Sequence, residues 1–188
     1  NRPMEHALKG IRVVDLTHYI AGPYCTKLLA DYGAEVLKIE RPGTGDGARG
    51  LPPFFADQPG QERSGLFLFL NTNKQSITVN LKADRGLEMV LRLIETADVV
   101  VDNYRPGVLA RLGLTQEKLE RANPRLVRVS ISNFGTSGPY RDYHMTDNVA
   151  YALGGWMYPM GELDRPPVQP GGAFGQYMAG LYAAIGTL

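Results

Sequence analysis

The protein is a chain of 188 residues, of which 44% are hydrophobic and 21% charged, a balance typical of a folded globular domain rather than a disordered segment. Its net charge of +1 excludes the strong overall positive field that recruits nucleic acid or anionic membranes, so an anionic ligand would need a local basic site. The single cysteine, Cys25, excludes an intrachain disulfide and fits a reducing compartment, and we expect its side chain to be buried.

Neither end of the sequence predicts an export or membrane segment. The opening residues NRPMEHALKG are charged and lack the apolar core of a signal peptide. No residue from Pro166 to Leu188 is charged, but prolines and glycines interrupt the first half, and the apolar part from Ala173 is shorter than the roughly 20 residues that span a bilayer. We therefore expect a cytoplasmic protein. We also expect the chain to be a piece of a larger one, because it lacks an initial Met and stops in mid-pattern.

Short β-branched runs alternate with amphipathic segments along the chain. Strands are predicted at 11–16, 35–40, 76–81, 98–103 and 126–132, and residues 67–71 are predicted to be extended as well. Helices are predicted at 22–33, at 82–97, from Thr115, at 147–155 and from about Gly175. This alternation predicts an α/β domain with a mostly parallel sheet. Ligands of such sheets bind beyond the carboxyl ends of the strands, where segments 17–23, 40–50 and 103–107 would lie.

Segment 41–50 combines Arg41 and Arg49 with three glycines at alternate positions. Glycines allow the backbone to approach a ligand, and arginines hold phosphate groups with two parallel hydrogen bonds. The spacing matches neither a dinucleotide-binding fingerprint nor a Walker loop. A nucleotide-like ligand and a plain surface loop therefore both remain open.

Segment 103–113 follows the fourth predicted buried strand directly. Its Tyr104 is suited to stacking on a base, and Arg105 and Arg111 are suited to facing an anion. The alternative is that Pro106 opens a helix whose arginines are solvated. Lys74 and Lys82 flank the strand predicted at 76–81 and are expected to add positive charge nearby.

Other kinds of site find little support. The three histidines, His6, His18 and His144, have no metal-ligand spacing, although His18 follows a strand end; no metal is expected. No GxSxG segment indicates a serine nucleophile. Asp147 is the best-placed carboxylate for acid or base work, the alternative being a helix cap. Gln176, alone among apolar neighbours, is a helix start, a packing detail or the remnant of a reactive site.

Three stretches resemble a known family. Residues 8–46, containing LTHYIAGP and VLKIERPGTGD, resemble the opening of the class III CoA-transferases, the family of formyl-CoA and carnitine CoA-transferases. VVDNYRPGVLARLGL at 100–114 and the segment 131–155 resemble its second and third signatures. The family also contains 2-methylacyl-CoA racemases. The resemblance implies a Rossmann-like large domain, a small domain and a return to the large domain, with two chains interlocked. Residues 1–188 would form the N-terminal part of the large CoA-binding domain.

The resemblance also implies that coenzyme A or an acyl-CoA is the ligand and a carboxylic acid the second substrate. Carried over position by position, the implied CoA-binding residues are Ile20, Ala21, Arg41, Val79, Asn80, Leu81, Lys82, Asn103, Tyr104, Arg105, Arg111, His144, Met145 and Thr146, with Asp147 and Gln176 as the implied catalytic positions. Neither nucleic acid nor a membrane is an expected partner.

The implied catalytic position departs from the family pattern. Transferases of this family use an aspartate to attack the acyl-CoA thioester, and that aspartate corresponds to Gln176. Many of these transferases carry Glu where this chain has Asp147. The racemases place a histidine at position 146 and an aspartate at 176, whereas this chain has Thr146 and Gln176, which argues against racemisation.

A neutral carboxamide cannot form the acyl anhydride at a useful rate, so three interpretations stand. This chain pairs with a related chain that carries the aspartate, it binds CoA esters without turnover, or another acid serves. The last interpretation is weakened because no Asp or Glu follows Asp164. We expect a CoA-transferase in a homodimer or a heteromer. The alternatives are a non-catalytic CoA-binding subunit and, if the signatures are accidental, an unrelated nucleotide-binding module.

Overall fold

The computed structural model describes residues 6–188, so the first five residues of the opening segment lie outside the description. The strands are β1 (Arg12–Asp15), β2 (Glu35–Glu40), β3 (Gln75–Thr78), β4 (Val99–Asp102) and β5 (Val127–Ser130). The α-helices are α1 (Ala21–Asp31), α2 (Gly65–Leu70), α3 (Asp84–Ile94), α4 (Val108–Arg111), α5 (Gln116–Ala122), α6 (Asp147–Leu153) and α7 (Phe174–Thr187). The predicted α/β class is confirmed.

The five strands form one parallel sheet in the order β3-β2-β1-β4-β5. The chain winds outward from β1 to β3 and then continues with β4 on the other side of β1. This reversal opens a crevice where the loops after β1 and β4 leave the sheet in opposite directions. The loop after β1 and the loop after β4 therefore face each other at the position where open parallel sheets bind ligands.

Alternating side chains divide the core between the two faces of the sheet. Val14 and Val100 pack on one face with Val90 and Ile94 of α3. Val13, Val99 and Val101 pack on the other face with residues of α1 and α7. Cys25 belongs to this second layer and is fully buried, as predicted. None of the helices described for residues 6–188 is long and apolar enough to cross a membrane.

The prediction of an extended segment at 67–71 is wrong. Ser64 caps helix α2 there, since its hydroxyl accepts a hydrogen bond from the backbone N–H of Phe67 at 3.1 Å. Phe67 and Leu70, three residues apart, share the buried side, while Leu68 and Phe69 are exposed. This three-residue spacing is that of a helix rather than a strand.

Several boundaries also differ from the prediction. Strand β3 ends at Thr78, and Asn80 forms a turn by accepting a hydrogen bond from the N–H of Lys82, so positions 79–82 lie in a loop. Asp147 does not cap α6, because the cap is Thr146, whose hydroxyl accepts from the N–H of Val149 at 3.5 Å. Thr115 caps α5 as predicted.

Candidate active site

A buried ion pair ties the loop after β1 to the loop after β2. The ammonium group of Lys38, on β2, donates to the carbonyl of Thr17 at 2.9 Å and lies 2.8 Å from an oxygen of Asp46. The other oxygen of Asp46 accepts from the N–H groups of Tyr19 and Ala48, both at 2.9 Å. Because both charges are removed from water, this pair holds the two loops in a single arrangement.

Lys74 does not add charge to the ligand side of the sheet, contrary to the prediction. Its ammonium group is buried, lies 3.1 Å from an oxygen of Asp15 and donates to the hydroxyl of Thr26 at 2.7 Å. Burial lowers the pKa of Lys74 to about 8. Burial alone would raise the pKa of Asp15, but Lys38 and Lys74 outweigh it and hold that pKa far below its usual range. Lys74 therefore anchors α1 to the sheet.

Arg49 likewise orders the protein rather than presenting a free guanidinium group. Its Nε and one Nη donate to the two oxygens of Glu40 at 2.7 and 2.9 Å, and its other Nη lies 2.9 Å from Glu62. The guanidinium also lies 3.7 Å from the ring centre of Phe67, close enough for a cation–π contact. Of the two arginines in segment 41–50, Arg41 is the one whose side chain remains exposed for a ligand.

Arg41 borders a cavity of about 510 Å³ at the carboxyl ends of the central strands, here called the basic cavity. Lys82 contributes a second cation to its wall. Predicted positions that line it are Arg41, Val79, Asn80, Leu81, Lys82 and Tyr104. The structure thus brings the predicted loops after β2, β3 and β4 to one surface.

His18 and Asn103 join the two loops that flank the crevice. The Asn103 carboxamide accepts from the backbone N–H of His18 at 2.8 Å and donates to its carbonyl at 2.7 Å. The His18 ring meets the Tyr104 hydroxyl through Nε2 at 2.8 Å. Burial lowers the pKa of His18, so the ring is neutral at pH 7 and forms part of the wall of the basic cavity.

A second cavity, of about 590 Å³, lies where α6 and α7 approach the start of α1. We call it the carboxylate cavity because Asp147, the first residue of α6, lines it. Gln176, in the first turn of α7, lines it as well. The side-chain amide of Gln176 donates to both oxygens of Asp147, at 3.1 and 3.2 Å.

The contact between α6 and α7 is held by a second hydrogen bond next to this pair. The backbone N–H of Gly175 donates to the hydroxyl of Tyr151 at 2.9 Å. A Cβ atom on Gly175 would lie 3.2 Å from the Tyr151 ring. Glycine at this position therefore allows the backbone of α7 to approach that ring closely. The Trp156 and Phe174 rings, whose centres are 5.0 Å apart, also line the carboxylate cavity.

Residues 8–188 match the family model of CoA-transferase family III. The chain belongs to this family. It is 45% identical over 185 residues to a formyl-CoA:oxalate CoA-transferase of Rhodopseudomonas palustris (strain HaA2), covering 98% of this chain and 42% of the relative. It is 42% identical over 180 residues to an acyl-CoA transferase of Fusarium pseudograminearum (strain CS3096), covering 94% of this chain and 40% of the relative. The chain thus spans less than half the length of these relatives.

Solved structures agree with the family assignment. The chain is similar to a CAIB/BAIF family protein from Brucella suis, with a TM-score of 0.89 and 36% identity over 98% of this chain and 48% of that one. It is also similar to Rv3272 from M. tuberculosis, with a TM-score of 0.85 and 33% identity over 96% of this chain and 49% of that one. Both are similar in fold and sequence across almost the whole chain.

The remaining family-implied positions of this CoA-transferase family member fall into three groups. The first group lines the carboxylate cavity and consists of Ala21, Asn103, Met145, Thr146, Asp147 and Gln176. A small cavity of about 60 Å³ is lined by Asn103, Tyr104 and Arg105; it shares Asn103 with the carboxylate cavity and Tyr104 with the basic cavity. Ile20, Arg111 and His144 line none of these three cavities.

Sequence reasoning missed much of the wall of the carboxylate cavity. Phe174, Met178 and Tyr182 line it from α7, one helical turn apart. That four-residue spacing was readable in the sequence as one face of a helix. Trp156 and Ser132 gave no such signal, because both lie outside helices and strands. Among residues 6–188, no group of three or more His, Cys, Asp or Glu side chains is arranged to hold a metal ion.

Proposed function

We propose that this chain is the CoA-binding part of a class III CoA-transferase that moves CoA between carboxylic acids. The observation that carries the proposal is a pair of cavities whose walls include the consecutive residues Asn103 and Tyr104, one residue in each wall. One has exposed cations at its rim, and the other ends at a carboxylate and a carboxamide. CoA has the matching asymmetry, with phosphates and a base at one end and an uncharged thioester at the other.

The basic cavity suits the nucleotide end of CoA. Arg41 and Lys82 supply charge for phosphate groups, and the half-buried Tyr104 ring offers a surface for the adenine. Arg105 would meet the chain of CoA at the small cavity that it lines. Ile20, Arg111 and His144 remain family-implied contacts that we expect to approach the ligand from the rim.

The carboxylate cavity suits the acyl thioester. Its wall holds aromatic and aliphatic side chains together with Asp147 and Gln176, and no lysine or arginine from residues 6–188. A neutral thioester can enter without leaving a buried cation unpaired. The cavity is bordered by α6 and α7, whose exposed Leu153, Tyr182 and Ile185 offer apolar area to further chain or to a partner. We propose that the rest of the large domain, a small domain and a second interlocked chain complete this wall in a cytoplasmic dimer.

Gln176 favours a second candidate function, a CoA-binding subunit without transfer activity. A carboxamide carries no charge and cannot attack a thioester as an aspartate does. In that case the acyl chemistry would belong to a related chain with an aspartate at this position.

A transfer assay separates the two candidates. The intact protein is incubated with formyl-CoA and ¹³C-labelled oxalate, and with succinyl-CoA and labelled acetate, and CoA binding is measured by isothermal titration calorimetry. New labelled acyl-CoA supports the transferase. CoA binding without labelled product supports the non-catalytic subunit, and the absence of CoA binding contradicts both.

A further inference from the structure

We propose that Asp147 is the nucleophile of this chain, and that Gln176 has become a hydrogen-bond donor to it. The inference rests on the proposed acyl-CoA substrate. It begins from the contact between the two side chains, in which one amide group donates to both carboxylate oxygens at 3.1 and 3.2 Å. A carboxylate therefore lies within one hydrogen bond of position 176, although the sequence separates the two by 29 residues.

Asp147 is the one carboxylate on the wall of the carboxylate cavity, counting the residues that the structure describes. Its side chain is half-buried, so it is open to the cavity. Three other carboxylates are already in ion pairs: Asp15 with Lys74, Asp46 with Lys38 and Glu40 with Arg49. No such pair involves Asp147 within residues 6–188, and no cation lines its cavity. Its negative charge is therefore available to attack a carbonyl carbon.

The amide of Gln176 leaves this reactivity in place. Its NH₂ group donates to both oxygens, and each carboxylate oxygen has a further lone pair. The contact fixes the orientation of the carboxylate toward the cavity. An ionised aspartate at position 176 would instead bring a second negative charge to the same place and would donate no hydrogen bond.

The reaction balances without an oxidant or a metal. One Asp147 oxygen forms a bond to the thioester carbonyl carbon, the carbon–sulfur bond breaks, and CoA leaves as a thiolate with the bonding pair. The resulting mixed anhydride is attacked by that thiolate at the aspartyl carbonyl carbon. The acyl group then leaves as a carboxylate, and CoA remains as a thioester of Asp147. The acceptor carboxylate reverses both steps and departs as the new acyl-CoA.

Gln176 has a defined part in these steps. When one Asp147 oxygen is acylated, the other becomes a carbonyl oxygen that keeps its hydrogen bond from the Gln176 amide. That oxygen gains negative charge when the thiolate adds, and a donor already in place stabilises the charge. Position 147 thus supplies the carboxylate and position 176 the donor.

The experiment is mass spectrometry of the intact protein after trapping. The protein is mixed with formyl-CoA, acetyl-CoA or succinyl-CoA without an acceptor, quenched with hydroxylamine and digested. We expect a hydroxamate on the peptide that contains Asp147. Asp147→Asn is expected to abolish the label and lower transfer by about a thousandfold or more, with CoA affinity unchanged within about twofold. Asp147→Glu should restore part of both, and the exposed control Asp164→Asn should alter neither.

Two results would overturn the assignment, and both differ from a failure of the proposed function. Transfer with the label on another residue or another chain would leave the transferase standing and remove Asp147 as nucleophile. Acyl-CoA binding without any label on Asp147 would also remove Asp147 as nucleophile. A failure to bind CoA at all would remove the proposed function together with the assignment.

Discussion

Gln176 and Asp147 lie on different helices, and the amide of Gln176 donates to both oxygens of the Asp147 carboxylate at 3.1 and 3.2 Å. Helices α6 and α7 are also joined by the hydrogen bond from the Gly175 N–H to the Tyr151 hydroxyl, 2.9 Å long. Two neighbouring hydrogen bonds between the same two helices therefore hold Asp147 and Gln176 in place. This end of the carboxylate cavity carries one carboxylate and one neutral donor.

Removing this donor should slow the chemical step and leave CoA binding intact. Gln176→Leu keeps a similar volume but loses the hydrogen bond that orients Asp147. We expect kcat to fall about 10- to 100-fold, because a lost donor to a charged group costs roughly 1.5–3 kcal/mol, with KM little changed. Steady-state transfer kinetics measure both values. The control Gln116→Leu, on exposed α5, should match the unmodified protein, and a large rise in KM alone would contradict the assignment.

Arg41, one of the two exposed cations of the basic cavity, should contribute to CoA affinity. Arg41→Met removes the charge but keeps an apolar chain, and we expect CoA to bind about tenfold more weakly, about 1.4 kcal/mol. Raising the ionic strength should reduce the difference between the two proteins, because salt screens exposed charge. Calorimetric titration with CoA tests both expectations.

Arg12→Met is the matched control for this substitution. Arg12 is exposed at the first residue of β1, at the opposite end of the strand from the crevice. Its loss should leave CoA affinity unchanged. Equal losses for Arg12 and Arg41 would indicate a general effect of charge and contradict a phosphate site at Arg41.

The sheet and the position of the site followed from patterns that neighbouring residues carry. Runs 11–16 and 98–103 contain consecutive valines, as is typical of buried parallel strands, and their alternation with helices predicted the parallel sheet. The ligand loops then followed from the rule that parallel strands bind at their carboxyl ends. The family resemblance added coenzyme A as the expected ligand, which these patterns left open.

The partners of the charged residues could not be predicted in the same way. Lys74 pairs with Asp15, which is 59 positions away, and no local pattern indicates that both side chains are buried. Arg49 and Glu40 are closer in sequence, but only the loop conformation turns them toward each other. The consecutive apolar residues of segment 67–71 predict a strand. The structure has a helix there, because the Ser64 side chain caps its first turn.

The Glu40–Arg49 pair should make stability depend on acid pH. Burial would raise the pKa of Glu40, but hydrogen bonds from Arg49, Ser76 and the Asp46 N–H lower it to about 2, from 4.5. In the unfolded chain Glu40 takes up its proton first as the pH falls, so its stabilising contribution is complete above about pH 4.5 and is lost as the pH approaches 2. The shift corresponds to about 3 kcal/mol.

Chemical unfolding of the intact protein at pH 7, 4 and 3 measures this dependence. The difference in the free energy of unfolding between the unmodified protein and Glu40→Gln should be largest at pH 7 and shrink steadily below pH 4.5. Glu88→Gln, exposed on α3, should show no such trend. A difference that stays constant from pH 7 to pH 3 would contradict the stated role of the carboxylate.

The crossing of α1 and α7 should depend on Gly180. A Cβ atom there would lie 2.4 Å from the carbonyl oxygen of Ala21 and 3.2 Å from the Cys25 nitrogen, both backbone atoms. Gly180→Ala should therefore push α7 away and destabilise the protein by about 1–3 kcal/mol. It should also lower transfer, because α7 carries Gln176. Gly186→Ala lies on the same helix, and its Cβ would meet no atom within 4 Å beyond its own helical backbone and chain neighbours. It should be neutral or stabilising by up to about 1 kcal/mol in thermal unfolding.

The electron density of CoA bound to the intact protein tests the account most directly. We predict the nucleotide end in the basic cavity beside Arg41 and Lys82, and the sulfur in the carboxylate cavity within contact distance of Asp147. CoA lying outside the crevice between the loops after β1 and β4 would contradict the proposed function. CoA in the crevice with its sulfur directed away from Asp147 would contradict the assigned nucleophile.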